Sequence, residues 1–179
     1  MKFCSECGSR VTLSPVPGAQ QGRFVCDGCR RVFYQSPRLI AGCIACRDDK
    51  ILLCRRAIDP GYGLWALPAG FVETGESAAL GAVRETLEEA QVTVEIDRLY
   101  ALFHIPHLNQ VHLLFLARLL DGPLIAGAES LEVKLFGETD LPWGDLAFAT
   151  SRDALRQYFR DADEGTFGFH FGEIVPFTR

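Results

Sequence analysis

The sequence predicts an α/β sandwich built on a mixed sheet, preceded by a small separate module. Three observations predict it. From residue 38 onward, short β-rich apolar runs dominate and only two stretches carry a helical pattern. The first 36 residues are rich in cysteine, glycine and polar types, and hold too few apolar side chains to bury a core of their own. Pro37 separates the two regions, so 1–36 and 37–179 read as two domains.

The elements follow in order. Arg38–Arg47 and Lys50–Arg55 flank Asp48 and Asp49, which reads as a hairpin. Asp59, Pro60, Gly61 and Gly63 mark a loop. Trp65–Val72 is a short strand interrupted by Pro68 and Gly70. Ser77–Ala90 reads as a helix. Leu80, Val83 and Leu87 share one face of it at 100° per residue, and that face is expected to pack on the sheet. Val92–Ile105 and Val111–Leu120 are longer strands separated by a polar loop at His107–Gln110, and Leu131–Phe136 is a further strand. Ser151–Arg160 reads as a second helix with Ser151 as its N-cap. The tail after Gly165 is aromatic and runs to Pro176.

Composition narrows the function classes. Of the 179 residues, 48% are apolar and 23% charged, the ordinary balance of a soluble globular chain. No apolar run approaches the roughly 20 residues a membrane span needs. The opening Met1, Lys2, Phe3, Cys4 and Ser5 hold no apolar signal core, so a cytoplasmic location is expected. The net charge of −5 disfavours long-range attraction to nucleic acid or anionic membrane. Up to Arg38, six basic residues stand against Glu6 and Asp27, a net +4 that leaves −9 for the remainder. Four thiolates and one Zn²⁺ lower the first figure to about +2.

Seven cysteines, an odd number, argue against a disulfide framework. Cys4 with Cys7, and Cys26 with Cys29, form two Cys-x-x-Cys pairs separated by eighteen residues. Two such turns supply a closed tetrahedron of thiolates, the pattern of structural Zn²⁺. Gly8 and Gly28 suit the tight backbone of such knuckles. Cys43 and Cys46 share the spacing but lie in a β-like run, where residues three apart face opposite sides. With Cys54, they read as small buried side chains.

The strongest signal is acidic. Glu85 and Glu89 stand one turn apart on the helix face away from Leu80, Val83 and Leu87, with Glu88 beside them. Like charges at that spacing repel by a few tenths of a kcal/mol. Anions in the last turn cost roughly 0.3–1 kcal/mol more against the helix dipole. A hard divalent cation with oxygen ligands offsets both. Arg84 lies between the two faces and is suited to hold a carboxylate bidentate, with Glu76 the obvious mate. A solvated acidic face is the plainer reading of three glutamates, but the flanking pattern decides against it.

Gly70, Glu76, Arg84, Glu85, Glu88, Glu89 and Val92 stand in the register G-x5-E-x7-R-E-U-x-E-E-x-G-U, where U is apolar. This resembles the Nudix box. Thr86 stands where an apolar residue is usual, and Gln91 replaces the final glycine and alters the helix exit. The run from Leu64 to Gly70 looks like the family's entry strand, with Ala69 where glycine is common. The N-terminal module is similar to the zinc ribbon of the NADH pyrophosphatase branch and its relatives. The resemblance implies a Nudix α/β/α sandwich that uses Mg²⁺ or Mn²⁺ to hydrolyse the diphosphate bond of a nucleoside diphosphate derivative.

Carried over by position, it implies Glu85, Glu89 and Glu88 as ligands for the catalytic metal and Arg84 with Glu76 as the orienting pair. Gly70 and Ala69 let the backbone approach. Glu88 is the implied general base, with Glu132 and Glu138 as alternatives on later segments. The NADH branch carries an aromatic and proline-rich signature after the box that is absent here. The stretch from Leu102 to His112 is instead similar to ribbon-bearing relatives acting on FAD or ADP-ribose. Hydrolysis of NAD(H) or of an NAD cap on RNA is the alternative activity, and a silent nucleotide-sensing or ribbon-mediated adaptor is the non-enzymatic one. Candidate substrate contacts are Arg55, Arg56, His104, His107 and Phe71, with Gln110, Trp65 and Phe103 behind them. The expected partners are a small nucleoside diphosphate substrate and a second copy of the chain. No membrane is among them, and nucleic acid held through the ribbon is the lesser expectation.

Overall fold

A computed structural model of the chain describes residues 1–18 and 20–175. Pro176, where the aromatic tail was read to end, lies outside the described residues. The chain divides into two compact units, Met1–Ser36 and Pro37–Arg179.

The first unit is a three-stranded antiparallel sheet: β1 (Val11–Ser14), β2 (Arg23–Cys26) and β3 (Val32–Phe33), in that order. It does bury a small core, contrary to expectation. Cys4, Val11 and Cys26 are buried, with Phe24 and Phe33 packed against them. The cysteines serve as core side chains here.

The second unit opens with a hairpin, β4 (Arg38–Arg47) and β5 (Lys50–Arg56). Asp48 and Asp49 close it, with φ of 50° and 58°. Two left-handed residues match the right-handed twist of the flanking strands, and Asp tolerates that conformation. There follow β6 (Trp65–Ala66), β7 (Ala69–Phe71), α1 (Ala78–Ala90), β8 (Val94–Ile105), β9 (Gln110–Leu119), β10 (Ser130–Phe136), α2 (Ala149–Glu164) and β11 (His170–Glu173). The sheet runs β10-β5-β4-β9-β8-β11, with β6 paired to β5 and β7 to β4. The pairs β4–β9 and β8–β11 are parallel and the rest antiparallel, so the sheet is mixed.

Alternation along β4 and β5 separates two cores. Ala41, Cys43, Ala45, Leu52 and Cys54 face α1. Ile44, Ile51 and Leu53 face α2, whose Ala154, Leu155 and Phe159 cover them. Burial of each large side chain contributes roughly 1.5–3 kcal/mol. Cys43 and Cys46 part as expected: Cys43 Sγ donates to the Ala82 carbonyl on α1 at 3.5 Å, and Cys46 Sγ to Tyr158 Oη on α2 at 3.2 Å.

Three expectations are corrected. The buried face of α1 is Gly81, Ala82, Thr86, Glu89 and Ala90, whereas Leu80 and Leu87 are 62% and 48% exposed. Small residues let the helix axis approach the sheet. Thr86 fits there because its hydroxyl donates to the Ala82 carbonyl at 2.8 Å. The second helix begins at Ala149 and has Phe148 as its N-cap, while Ser151 is buried inside the first turn. The tail contributes β11, which pairs with β8 and was not expected at all. At the exit of α1, Gln91 takes the left-handed conformation that a glycine usually supplies, and its N–H reaches the Leu87 carbonyl at 2.9 Å. The helix therefore ends where the family pattern ends it. Among the described residues no helix is long and apolar enough to cross a membrane.

Candidate active site

Helix α1 places four charged side chains beside the β7 turn. Ser77 starts the helix by accepting the Leu80 N–H at 3.2 Å. Arg84 then works as a fork. Its Nη2 and Nε donate to the two Glu76 oxygens at 2.7 and 3.2 Å, and Nη2 also reaches the Phe71 carbonyl at 2.9 Å. Its Nη1 donates to Glu85 at 2.7 Å and to Glu88 at 3.2 Å. Glu76 additionally accepts the Glu73 N–H at 2.8 Å, and these two donors hold its carboxyl below the usual range.

Glu85 and Glu89 do not face solvent, as the helical wheel implied. They turn inward to the β7 backbone. Glu89 is buried and accepts the Ala69 N–H at 3.3 Å. Burial, opposed by that hydrogen bond and reinforced by the Glu85 charge, pushes its carboxyl up to about 7. Burial also raises Glu85, against the pull of Arg84. Two carboxylates pushed toward neutrality in one pocket are a donor set that a hard divalent cation would satisfy. Gly70 is part of the same fit, because a Cβ there would fall on the Glu85 carboxylate. Glu88 is more exposed and points to the open side.

The carboxylates open into a cavity of about 910 Å³. Glu85, Glu88, Glu89, Arg84, Gly70, Ala69, Phe71, Arg56, His107 and Gln110 line it. Glu76 supports it through Arg84. Four sequence candidates lie elsewhere. Arg55 donates to the Gly63 carbonyl at 2.9 Å and pairs with Glu132 at 3.8 Å, neither side chain reaching the cavity. His104 and Glu138 do not line it either. Arg55 and Arg56 are successive strand residues, so only one can face the cavity. Trp65 and Phe103 are core side chains, Trp65 meeting Phe136 edge-on at 4.9 Å.

Other lining residues went unnoticed in the sequence. Glu129 lines the cavity near enough to raise Glu85 electrostatically. The turn before it caps α1: the Gly127 N–H reaches the Glu89 carbonyl at 2.9 Å, and a Cβ on Gly127 would collide with the helix backbone. Only that glycine, 37 residues past the last residue of α1, was a local signal. His112 also lines the cavity, hydrogen-bonded to Gln110 at 3.1 Å, and burial lowers its imidazole to about 4.

In the first unit, the Sγ atoms of Cys4, Cys7, Cys26 and Cys29 all lie within 4.8 Å of one another. Cys4–Cys29 and Cys7–Cys26 are 3.7 and 3.4 Å apart. Tetrahedral Zn–S bonds of about 2.3 Å require edges of about 3.8 Å, so the four sulfurs fit that ion. Backbone N–H groups of Glu6 and Cys29 point at Cys4 and Cys26 sulfur at 3.4 and 3.3 Å, the geometry of two thiolate knuckles.

A family description named NUDIX domain matches residues 36–160, and one named Nudix N-terminal, a zinc ribbon, matches residues 2–35. The chain belongs to the Nudix family. An ADP-ribose pyrophosphatase of Methanocaldococcus jannaschii is 31% identical over 71% of this chain and 76% of its own length. The NAD-capped RNA hydrolase NudC of Escherichia coli is 30% identical over 79% of this chain, which spans 53% of that protein. A Nudix hydrolase of Nitrosomonas europaea has a solved structure at 49% identity and a TM-score of 0.95, covering 97% of this chain and 99% of that one. The Nudix fold, the mixed sheet and the ribbon are thus those of known Nudix hydrolases, which use Mg²⁺ or Mn²⁺.

Proposed function

We propose that this Nudix protein hydrolyses the diphosphate bond of a nucleoside diphosphate derivative, with ADP-ribose or FAD as substrate. The product is a nucleoside monophosphate and a second phosphorylated fragment. The observation that carries the proposal is the inward-facing pair Glu85 and Glu89, set against a backbone that lacks a Cβ at Gly70. A relative named ADP-ribose pyrophosphatase supports the substrate class. Glu85, Glu88 and Glu89 would hold the catalytic ion, and Cys4, Cys7, Cys26 and Cys29 a structural Zn²⁺. A bound Mg²⁺ or Mn²⁺ supplies charge neutralisation at the diphosphate and an acidified water. Arg84 keeps Glu85 and Glu88 oriented through its grip on Glu76. Glu88, on the open side, is the group assigned to take a proton, with Glu129 in place of the distant Glu132 and Glu138. Arg56, Phe71 and His107 line the space for the rest of the substrate.

Cleavage of NAD(H) or of an NAD cap on RNA is the second reading, favoured by the similarity to NudC. A cytoplasmic location and a homodimer belong to the same proposal. The test is hydrolysis with Mg²⁺ and Mn²⁺ of ADP-ribose, FAD, NADH, NAD, dinucleoside polyphosphates and NAD-capped RNA. Release of AMP from ADP-ribose or FAD at the highest kcat/KM is expected. Preference for capped RNA would favour the second reading, and no turnover of any of them would overturn both.

A further inference from the structure

The amino end of α2 opens into the same cavity as the glutamates. Ala149, Thr150 and Ser151, the first turn of this sixteen-residue helix, all line it. The turn has no side-chain cap, since Phe148 is the N-cap residue, and it contains no acidic residue. Among the described residues, its N–H groups and the positive end of the helix dipole therefore meet no counter-group there.

Two independent observations point to a ligand. Thr150 and Ser151 are only 4% and 5% exposed and line the cavity, and neither hydroxyl has a hydrogen-bond partner among the described residues. Neither oxygen is among the fully enclosed unpartnered side-chain atoms, so each hydroxyl keeps an opening to the cavity these residues line and is placed to donate to an acceptor bound there. Arg56 is also locked beside them. Its Nε donates to the Pro60 carbonyl at 2.8 Å, and its guanidinium stacks on the ring of the N-cap residue Phe148 at 5.0 Å. Among the described residues no carboxylate pairs with its terminal nitrogens. The cavity is therefore polarised: a cation-seeking wall of glutamates stands near an anion-seeking wall of helix N–H groups, hydroxyls and one arginine.

We propose that the first turn of α2 and Arg56 form a phosphate-binding wall that holds the phosphoryl group next to the one bound at the glutamates. This rests on the diphosphate reading above and assigns the second half of the diphosphate its own site. Hydrogen bonds from N–H, O–H and guanidinium groups to one oxyanion would position the scissile bridge without any additional metal.

The experiment uses the full zinc-loaded chain. Inorganic phosphate is titrated into ¹⁵N-labelled protein, and KM and the Mg²⁺ dependence of turnover are measured in three variants: Arg56→Gln, the double change Thr150→Val with Ser151→Ala, and Ala149→Pro. Proline is tolerated at the first helical position and removes one N–H while leaving the helix intact. Saturable shifts of the amides of residues 149–151 are expected in the wild type. The variants should bind phosphate and substrate at least about tenfold more weakly, the worth of one hydrogen bond to a charged group, with an unchanged Mg²⁺ requirement. Amides that ignore phosphate, or a KM unchanged in all three variants, would overturn the site and leave the hydrolase reading standing. If the wild type turned over no diphosphate, that reading would fail alone, and the phosphate titration would still decide whether the wall binds an oxyanion.

Discussion

Arg84 is the residue on which the geometry of the carboxylates turns. One guanidinium spans Glu76, Glu85 and Glu88 and also holds the Phe71 carbonyl. Loss of a fork of this kind leaves carboxylates without partners, so Arg84→Lys is not a conservative change here. Glu85→Gln should keep the fold and lower kcat by roughly a hundredfold or more, since a metal ligand contributes several kcal/mol of transition-state stabilisation. Turnover at the wild-type rate would show that the catalytic centre lies elsewhere. Gly70→Ala should act on the same carboxylate from the backbone side. Its new methyl group would displace Glu85, so activity should fall while thermal stability changes little. Among these residues the acidic register was readable from spacing alone. That Glu129 joins them was not, because its position depends on a turn that bonds back to the end of α1.

At the level of elements, α1 shows why a helical wheel misleads when a helix lies close to a sheet. The wheel counts apolarity, whereas the packing selects small size. Leu80 and Leu87 stand outside and Gly81, Ala82 and Thr86 inside. Leu87→Ser should therefore cost within about 0.5 kcal/mol, as surface changes do. Ala82→Leu should cost about 1–3 kcal/mol through overpacking. Denaturant melts of the two variants distinguish the packing, and the reverse order would restore the wheel. The second case is β11. Its His170 Nε2 meets Asp161 of α2 at 2.8 Å, and the same carboxylate accepts Tyr100 Oη at 3.0 Å and the Gly168 N–H at 3.1 Å. Burial raises that carboxyl, but the three donors outweigh it and the net displacement is downward. A carboxyl lowered in the folded state contributes stability at pH values above its unfolded value of about 3.9 and loses it as pH falls through the folded value. Thermal melts between pH 5 and 2 should therefore drop more steeply for the wild type than for Asp161→Asn, and parallel curves would remove Asp161 from the account.

Across the whole molecule, the two units rest on different physics. The first has a core of Cys4, Val11 and Cys26 and four converging sulfurs, so its folding free energy is expected to be zinc affinity in large part. The second buries two apolar layers against one sheet. Chelation of zinc should abolish amide protection within residues 1–36 and leave that of β4, β5, β8 and β9 in place. Loss of protection in both would show that the sheet depends on the metal. The sequence by itself determined the two Cys-x-x-Cys turns, the Asp48–Asp49 hairpin and the register of the acidic helix, because each is set by neighbours a few residues apart. Only the tertiary structure decided which face of α1 is buried, that Arg56 and not Arg55 meets the cavity, that His104 is left out, and that α2 begins early enough to aim its first turn inward. These depend on how closely a helix can approach a sheet and on where distant turns return, and both are properties of packed surfaces that no local spacing encodes.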